Sequence, residues 1–448
     1  MPTSKKKVDV EVPGPKSKKI IEREKSAITP AHYHYLPIAM ESGGLKTMTD
    51  ADGNAYLDFT AGAAVMGVGY RNPKVVEALT AQMQKFVSHS LFFGSFEPLV
   101  KLSEKVKELI PWPGLKDGML AYGASGSEAV EMALWIVRKS KRPVIMALFP
   151  SYHGRTLAAN ALTAMRSSWR KNTLTLASGV VHAPYPYCYR CPFKLEYPEC
   201  GMACVSYIES MLDMVVPPEE LGAFIMEPIG GSGGYQVPPP EYIPMVKKIC
   251  EKHGVKFISD EIQTGFGRTG KMFGIEHYGV EPDLATLGKP LGGGLPIGAV
   301  IGNKETMTAW EVGSWGSTFG GNVMSAVAGH ATLSIIQAEK LDRNAEKMGR
   351  ILMDGLEGIK DRRRIVGDAR GKGLMLAVEL VKDRKTKEPA ADVARAVLPV
   401  AMKKGLLVST AGTYGNDIRL LPPLNINEDD AKVALDVLDA TLKEVASR

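Results

Sequence analysis

One lysine stands where neither core packing nor surface solvation calls for it. Lys289 lies in the stretch LGKPLGGGLPIG, between an apolar run and a cluster of glycines. A buried or half-buried ammonium group is costly unless it is paired, neutralised or used covalently. Lys289 is therefore either a solvated loop lysine or a reactive amine.

Other apolar runs of the chain also end in polar side chains. The runs cover residues 143–150, 221–228, 255–261 and 282–290, and the polar groups at or just beyond their ends are His153, Glu227, Asp260 and Lys289. In sheets of parallel strands, function gathers at the carboxyl ends of the strands. The pattern therefore predicts that these four side chains share one crevice.

A helix start offers a third kind of chemistry. Ser125-Gly126-Ser127-Glu128 is an SxxE capping box that opens an amphipathic helix. Small residues in the first turn leave backbone N–H groups open to an anion, and the helix dipole favours negative charge there. Taken alone, the segment is either a plain capped helix or a phosphate cradle.

The elements that must position these groups alternate along the chain. Helical periodicity over 75–86, 99–109 and 128–139 separates short runs that are apolar on both faces, which predicts an α/β fold with a mainly parallel sheet. We expect a large domain over residues 73–333. Residues 1–72 and 334–448 are expected to form a smaller domain, with a helix over 333–360 and a last helix over 429–445, N-capped by Asn427.

Composition excludes several classes of protein. The 448 residues are 45% hydrophobic and 23% charged, with a formal net charge of +6, which is typical of globular proteins. Neither a run long enough to span a bilayer nor a secretory signal is present, so we expect a cytoplasmic protein without membrane contact. The basic segment 5–19 predicts a solvated tail, and the lack of a basic stripe interleaved with aromatics argues against nucleic acid.

Two further patterns are weaker. Residues 265–271 satisfy both GxGxxG and GxxxxGK, but Met272 replaces the Ser or Thr of a nucleotide-binding loop and the segment does not pass from strand directly into helix. Four cysteines follow the spacing CxxC and CxxxC, and metal ligation, disulfides and free thiols all stay open for Cys188, Cys191, Cys200 and Cys204. We expect no metal in the reaction itself.

A reactive lysine, a lone aspartate and a phosphate cradle together fit one cofactor. Pyridoxal 5'-phosphate needs an amine for its Schiff base, a carboxylate that keeps the pyridine nitrogen protonated, and an anchor for its phosphate. With SGSEA, YHGRT, EPI, SDEIQTGFGRTG, LGKPLGGGLPIGA, GSTFGGN and IRLLPP in that order, the sequence resembles the class III (ornithine and 4-aminobutyrate type) aminotransferases of fold type I. The resemblance implies a seven-stranded sheet covered by helices and a PLP-dependent transaminase.

The resemblance also implies roles for the cofactor-binding residues. Lys289 forms the Schiff base and moves the proton, and Asp260 pairs with the ring nitrogen. The remaining contacts fall to the phosphate anchor Ser125, Gly126 and Ser127, to Tyr152 and Ile262 on the two faces of the ring, and to Gln263 at the phenolic oxygen. Thr318 is expected to reach the phosphate of a neighbouring subunit, which implies a homodimer or a higher homo-oligomer.

Substrate-binding roles follow in the same way. Arg419 matches the arginine that binds the substrate carboxylate, and Arg155 matches one that can hold a second carboxylate such as that of 2-oxoglutarate. Glu227 is expected to support the residues that touch the substrate without touching the substrate itself. Ala63 replaces the tyrosine or isoleucine of the best-known members, which predicts a roomier pocket.

One departure bears on the reaction. Ornithine and 4-aminobutyrate enzymes carry a glutamate after EPI, and this chain has Ser232 there, which favours α-amino acids. The predicted function is amino transfer from an ω- or α-amino acid to an oxo acid such as 2-oxoglutarate or pyruvate. The alternative is an amino-acid racemase or epimerase on the same scaffold, which needs a second acid/base on the face opposite the lysine.

Overall fold

The computed structural model describes residues 12–32, 34–173 and 179–446. They belong to two compact units. One unit is Pro73–Arg343, and the other combines Met1–Asn72 with Asn344–Arg448. The second boundary therefore lies at 343/344 and not at the expected 333/334.

The amino-terminal segment begins with a helix that corrects one expectation. Its elements are α1 (Pro15–Ala27), β1 (Met40–Gly43), β2 (Thr47–Asp50), β3 (Ala55–Asp58) and the single turn α2 (Ala61–Ala64). The carboxylate of Asp52 accepts the backbone N–H groups of Lys16 (2.8 Å) and Ser17 (2.9 Å) and so caps α1. Residues 15–19 are thus helical and not an unstructured tail, although Lys16, Lys18 and Lys19 are exposed to solvent as predicted. Residues 5–11 of the predicted tail lie outside the described residues.

The unit Pro73–Arg343 contains a seven-stranded sheet. Its strands are β4 (Met119–Gly123), β5 (Val144–Phe149), β6 (Val180–Pro184), β7 (Leu221–Met226), β8 (Lys256–Asp260), β9 (Leu284–Leu287) and β10 (Gly298–Gly302). They lie in the order β4-β10-β9-β8-β7-β5-β6, and the neighbours from β9 to β6 are parallel. β10 runs antiparallel to both β4 and β9. The predicted α/β sheet is confirmed.

Helices of this unit supply the core that packs on the sheet. They are α3 (Pro73–Met83), α4 (Glu97–Leu109), α5 (Pro113–Lys116), α6 (Gly126–Arg138), α7 (Leu157–Leu162), α8 (Ala203–Met214), α9 (Tyr242–His253), α10 (Lys304–Thr308) and α11 (Val323–Ala338). The apolar face of α6 packs on buried residues of β5, β7, β8 and β9, including Ile145, Ile225, Ile258 and Leu284. Burial of this face fixes the position of the Ser125 turn at its start.

The carboxy-terminal segment completes the other unit. Its elements are α12 (Leu341–Arg362), β11 (Val366–Lys372), β12 (Met375–Leu380), α13 (Ala391–Lys403), β13 (Leu406–Leu407), β14 (Ser409–Ala411), β15 (Asp417–Leu420) and α14 (Glu428–Ala446). The single helix predicted over 333–360 is wrong, because the chain breaks between α11 and α12, where Lys340 has φ +50°. Asn427 caps α14, since its side chain accepts the N–H of Asp430 at 3.0 Å.

Two four-stranded sheets form within that unit. The first has the order β1-β2-β3-β13, in which β13 joins β3 in parallel. The second, β11-β12-β15-β14, is antiparallel throughout. In this second sheet, Arg419 lies beside Ala377 of β12 and Ser409 of β14.

Candidate active site

Asp260 ends β8 with its carboxylate fixed from both sides. Its Oδ2 lies 2.7 Å from Nδ1 of His153, and its Oδ1 accepts the N–H of Ile262 (3.1 Å) and the hydroxyl of Thr286 (3.0 Å). The residue is buried. A buried carboxylate held by three partners has a fixed direction, as a group that faces a ring nitrogen requires.

His153 is the partner to which sequence reasoning gave no role. Its side chain is fully buried against Asp260. Burial acts to lower the pKa of His153, but the hydrogen bond and charge of Asp260, with the charge of Glu227, outweigh it and raise the pKa above its ordinary value. The two residues are 107 positions apart, so only the strand-end pattern hinted at the pair.

Lys289 begins a 3-10 turn, Lys289–Gly292, just after β9. Its φ is +46°, a conformation that residues with a Cβ rarely adopt. Such strain persists where the surrounding structure enforces it, and it clusters at functional sites. The lysine lines one pocket together with Ser125, Gly126, Ser127, Tyr152, His153, Gly154, Glu227, Ser232, Asp260, Ile262 and Gln263.

The start of α6 forms one wall of this pocket. The Ser125 hydroxyl accepts the N–H of Glu128 at 3.2 Å, and the Glu128 carboxylate accepts the N–H of Ala124 at 2.6 Å. A Cβ on Gly126 would lie 3.1 Å from Ile262, so glycine leaves the backbone close to that side chain. The first N–H groups of a helix have no intrahelical acceptor, and here they fit a phosphate.

Two buried polar groups complete the lining. The amide oxygen of Gln263 has no hydrogen-bond partner among the described residues, which indicates that a ligand group completes the site. Glu227 accepts the N–H of Tyr152 (2.9 Å) and of Gly231 (2.8 Å). Burial raises the pKa of Glu227 to about 7, with the charge of Asp260 adding to the rise and His153 opposing it. Glu227 thus holds two loops of the pocket.

Arg155 and Thr318, two expected site residues of the same unit, lie outside this lining. Arg155 is exposed, and its guanidinium stacks 3.8 Å from the ring centroid of Trp169. The Trp169 ring also meets Tyr152 edge to face, with centroids 5.9 Å apart. Thr318 is exposed on its own chain and does not line the pocket.

The other unit has its own pocket around Arg419. The lining residues are His34, Tyr35, Leu36, Ile38, Met40, Thr60, Ala63, Val408, Ser409 and Arg419. Arg419 is 7% exposed, its Nε donates to the Ser409 hydroxyl at 3.2 Å, and its guanidinium carbon lies 5.8 Å from the ring centroid of Tyr35. No carboxylate of the described residues pairs with it. A buried cation without an anion is costly, so this pocket is suited to a carboxylate.

A left-handed turn forms part of this second pocket. All four residues of α2 have positive φ, between +42° at Ala61 and +74° at Ala64. The buried carboxylate of Asp58 holds the entry to the turn by accepting the N–H groups of Thr60 (2.8 Å) and Ala61 (2.9 Å) and the hydroxyl of Tyr70 (2.8 Å). Asp58 thereby enforces a conformation that brings Ala63 to the pocket wall.

The four clustered cysteines line a separate apolar cavity. Cys188, Cys191, Cys200 and Cys204 all contribute to it, and none of them is in a disulfide. Within 12–32, 34–173 and 179–446, no three His, Cys, Asp or Glu side chains are arranged to hold a metal ion. The helices found over the same ranges include none that is long and apolar enough to cross a membrane.

Comparison with known proteins agrees with this geometry. Residues 28–442 match the family model "Aminotransferase class-III". The chain is 39% identical to a leucine/methionine racemase of Thermococcus litoralis, with 96% of each chain covered, and 36% identical to a 4-aminobutyrate aminotransferase of Mycobacterium bovis, with 97% of each covered. A PLP-bound amine transaminase from an uncultivated Pseudomonas species matches with a TM-score of 0.86 and 30% identity, covering 94% of this chain and 97% of that one.

The chain therefore belongs to the class-III aminotransferases, and its fold is the fold-type-I fold of that family. It is a pyridoxal phosphate-dependent transaminase that moves an amino group from an amino acid to an oxo acid. The resemblance seen in the sequence motifs is confirmed, as is the cofactor. The pocket fits this cofactor, because it offers an amine, a fixed carboxylate, a helix N-terminus and a buried amide whose oxygen has no partner among the described residues.

Proposed function

We propose that the amino donor is an α-amino acid with an apolar side chain, and that Arg419 binds its carboxylate. The observation that carries this proposal is the buried Arg419 guanidinium, which has no carboxylate partner among the described residues and lies in a pocket with apolar walls from Leu36, Ile38, Met40 and Val408. Arginine binds carboxylates in a two-pronged geometry, and the aliphatic walls suit an apolar side chain.

Ser232 supports α-amino acids over ω-amino acids. This serine lines the Lys289 pocket at the place where ornithine-type and 4-aminobutyrate-type members carry a glutamate. A glutamate there would neutralise the substrate-binding arginine while an ω-amine reacts. A serine hydroxyl carries no charge, so Arg419 stays available to a carboxylate in both halves of the reaction.

The pocket residues take the roles that their positions suit. When bound, pyridoxal phosphate supplies an electrophilic aldehyde carbon and a ring that accepts electrons. The Nζ of Lys289 holds the cofactor and then carries the proton between the substrate and the cofactor. Asp260, held by His153, keeps the ring nitrogen protonated. Ser125, Gly126 and Ser127 bind the phosphate, and Gln263 binds the phenolic oxygen. Tyr152 and Ile262 enclose the ring. Glu227 does not touch the substrate and instead holds two loops of the pocket by accepting the N–H groups of Tyr152 and Gly231.

A donor panel tests the proposal. The enzyme with bound cofactor is assayed with L-leucine, L-methionine, L-alanine, L-ornithine and 4-aminobutyrate, with 2-oxoglutarate or pyruvate as acceptor. We expect kcat/KM for leucine or methionine to exceed that for 4-aminobutyrate by about a hundredfold, which is roughly 2.7 kcal/mol of transition-state binding. A preference for 4-aminobutyrate or ornithine would contradict the proposal. Lys289→Ala is expected to abolish both activity and borohydride-dependent labelling by the cofactor.

Racemisation is the second candidate, because the 39% identical relative is a leucine/methionine racemase. Reprotonation from the opposite face needs a second acid/base beside Lys289, and the Ser232 hydroxyl is a poor one at neutral pH. Incubation of L-leucine with the loaded enzyme and no oxo acid separates the two reactions. Formation of D-leucine at a rate comparable to amino transfer would favour the racemase, whereas unchanged optical purity favours the transaminase.

A cytoplasmic homodimer completes the proposal. Thr318 is proposed to bind the cofactor phosphate of the partner subunit, and the strongly exposed Phe93 (85%) and Val312 (107%) support a covered face. Mixed dimers test this directly. Chains with Lys289→Ala, which are inactive, and chains with Thr318→Ala, which are weakly active, are unfolded together and refolded. If Thr318 serves the partner, one site of each hybrid has both residues and regains activity, whereas activity no higher than that of the separate variants would contradict the shared site.

A further inference from the structure

Arg419 shares one face of its sheet with three carboxylates and a second arginine. Opposite residues of adjacent strands point to the same side of a sheet, as do residues two apart along a strand. The register pairs Arg370 with Ala377 and Ala377 with Arg419, and it pairs Asp368 with Glu379 and Glu379 with Asp417. The face therefore carries one row with both arginines and a neighbouring row with the three acids.

Arg370 is bonded to all three of these acids. Its Nη1 lies 2.8 Å from Asp368 and 2.7 Å from Glu379, and its Nη2 lies 2.8 Å from Asp417. Glu379 and Asp417 are almost completely buried, with side-chain exposures of 0% and 1%. One guanidinium thus serves three carboxylates, two of which have no access to solvent.

Asp417 is the acid of this cluster that could form an ion pair with Arg419 in place of a substrate carboxylate. It lies two residues before Arg419 on β15 and on the same face, which places their Cα atoms about 7 Å apart. Burial raises the pKa of Asp417 to about 7, Arg370 opposes the rise and Glu379 adds to it. Asp417 shares the charge of Arg370 with two other acids. Even so, Arg419 pairs with none of these carboxylates and bonds Ser409 instead.

We propose that Arg370 is a positioning residue that keeps Arg419 open to the substrate carboxylate by occupying Asp417. A buried carboxylate that loses its cationic partner forms an ion pair with the nearest other cation, because an unpaired buried charge is strongly unfavourable. On this face, the replacement cation is Arg419. An Arg419 engaged by Asp417 can bind a substrate only by giving up that ion pair. The inference rests on the proposed role of Arg419 in carboxylate binding.

Carboxylate binding without turnover tests the idea. The probe is 4-methylpentanoate, which has the carbon skeleton and carboxylate of leucine but no amine, and its Kd is measured by calorimetry on the loaded enzyme. We expect Arg370→Gln to raise the Kd by about tenfold or more, a cost of about 1.4 kcal/mol. The affinity for pyridoxal phosphate is expected to stay within about twofold, because its residues lie in the other unit.

Two double variants form a matched pair. Arg370→Gln/Asp417→Asn removes the acid that can reach Arg419, and Arg370→Gln/Asp368→Asn removes an acid of the same cluster on β11, two strands away from β15. We expect the first to bind the probe within about threefold of wild type and the second to stay about tenfold weaker. Equal Kd values for the two would overturn the proposal and leave Arg370 a merely structural residue.

The outcomes separate this inference from the role of Arg419. If Arg419→Met does not weaken binding of 4-methylpentanoate, the proposed carboxylate site itself fails. If Arg419→Met weakens it and Arg370→Gln does not, only the role of Arg370 fails. Should Arg370→Gln alone not fold, the two double variants carry the comparison, because each removes one positive and one negative charge. The KM of the amino donor should follow the Kd, with kcat changing less.

Discussion

His153 offers the sharpest test of how the Asp260 carboxylate is held. Replacing it by leucine removes the 2.7 Å bond to Asp260 and leaves that buried carboxylate without its cationic partner. Hydrogen bonds to charged groups contribute about 1.5–3 kcal/mol, and breaking a buried pair costs about 3–5 kcal/mol. We therefore expect His153→Leu to lower the free energy of unfolding of the cofactor-free enzyme by about 3 kcal/mol at pH 6.

The pH dependence carries a definite sign. Because the pKa of His153 is raised in the folded state, its ionic contribution is fully present below the unfolded value of about 6.5 and is lost as the pH rises through the folded value. The difference between wild type and His153→Leu should therefore shrink at alkaline pH to about 1.5 kcal/mol, because a neutral imidazole can still donate one hydrogen bond to the carboxylate. His153→Asn, which keeps a neutral donor, is the control: its difference from wild type should be smaller than that of His153→Leu at each pH and should fall by a similar amount as the pH rises, so that the difference between the two variants hardly changes with pH.

Tryptophan fluorescence is a suitable probe for this measurement. All five tryptophans, at positions 112, 135, 169, 310 and 315, lie in the unit Pro73–Arg343, so urea titrations followed by fluorescence report unfolding of the unit that contains the pair. A difference between wild type and His153→Leu that is the same at pH 6 and pH 9 would refute the charged pair. A difference that grows with pH would reverse the sign and refute the direction of the pKa shift.

Two further substitutions in the same unit give expected losses of stability. Glu261→Gln should lower the free energy of unfolding by about 2–4 kcal/mol, because the buried carboxylate accepts the N–H groups of Gly274 (2.8 Å) and Ile275 (2.9 Å). An amide NH2 that faces either N–H would leave that donor unsatisfied. Glu251→Gln, at an exposed position, is the control and should change the free energy of unfolding in the same urea titration by less than about 0.5 kcal/mol. Gly154→Ala should cost at least about 2 kcal/mol and weaken binding of pyridoxal phosphate in a fluorescence titration, since Gly154 has φ +134° and an added Cβ would clash with the Ser127 hydroxyl. Unchanged cofactor affinity in Gly154→Ala would contradict the proposed role of Ser127.

The sequence was most informative where strands end in polar groups. Four apolar runs became β5, β7, β8 and β9, since continuous apolar stretches can only be buried on both faces. The strands β4, β6 and β10 escaped prediction. β10 is the short segment Gly298–Gly302, next to a glycine cluster that is more typical of a loop, and its pairing with β4 and β9 comes from tertiary contacts.

Contacts between distant residues were the part that sequence patterns could not supply. Arg370 bonds Asp417, which lies 47 positions further along the chain. Ser409 lies beside Arg419 because β14 pairs with β15, and the sequences of these two short strands do not predict that pairing. The left-handed turn at Ala61–Ala64 was also unforeseen, because three of its four residues are alanines, which rarely adopt positive φ. It depends on Asp58, whose carboxylate fixes the preceding backbone.

The pairing of β3 with β13 affects the order in which parts of this chain can fold during synthesis on the ribosome. Leu57 lies beside Leu406, so the sheet β1-β2-β3-β13 lacks its fourth strand until synthesis has passed residue 406. Pro73–Arg343 is continuous and can collapse around its own core while synthesis is still in progress, since domains generally fold as units. The amino-terminal strands then keep an unpaired edge on β3 until β13 emerges from the ribosome. A nascent chain stalled just short of Leu406 should expose that edge to chaperones, and one released a few residues later should close it.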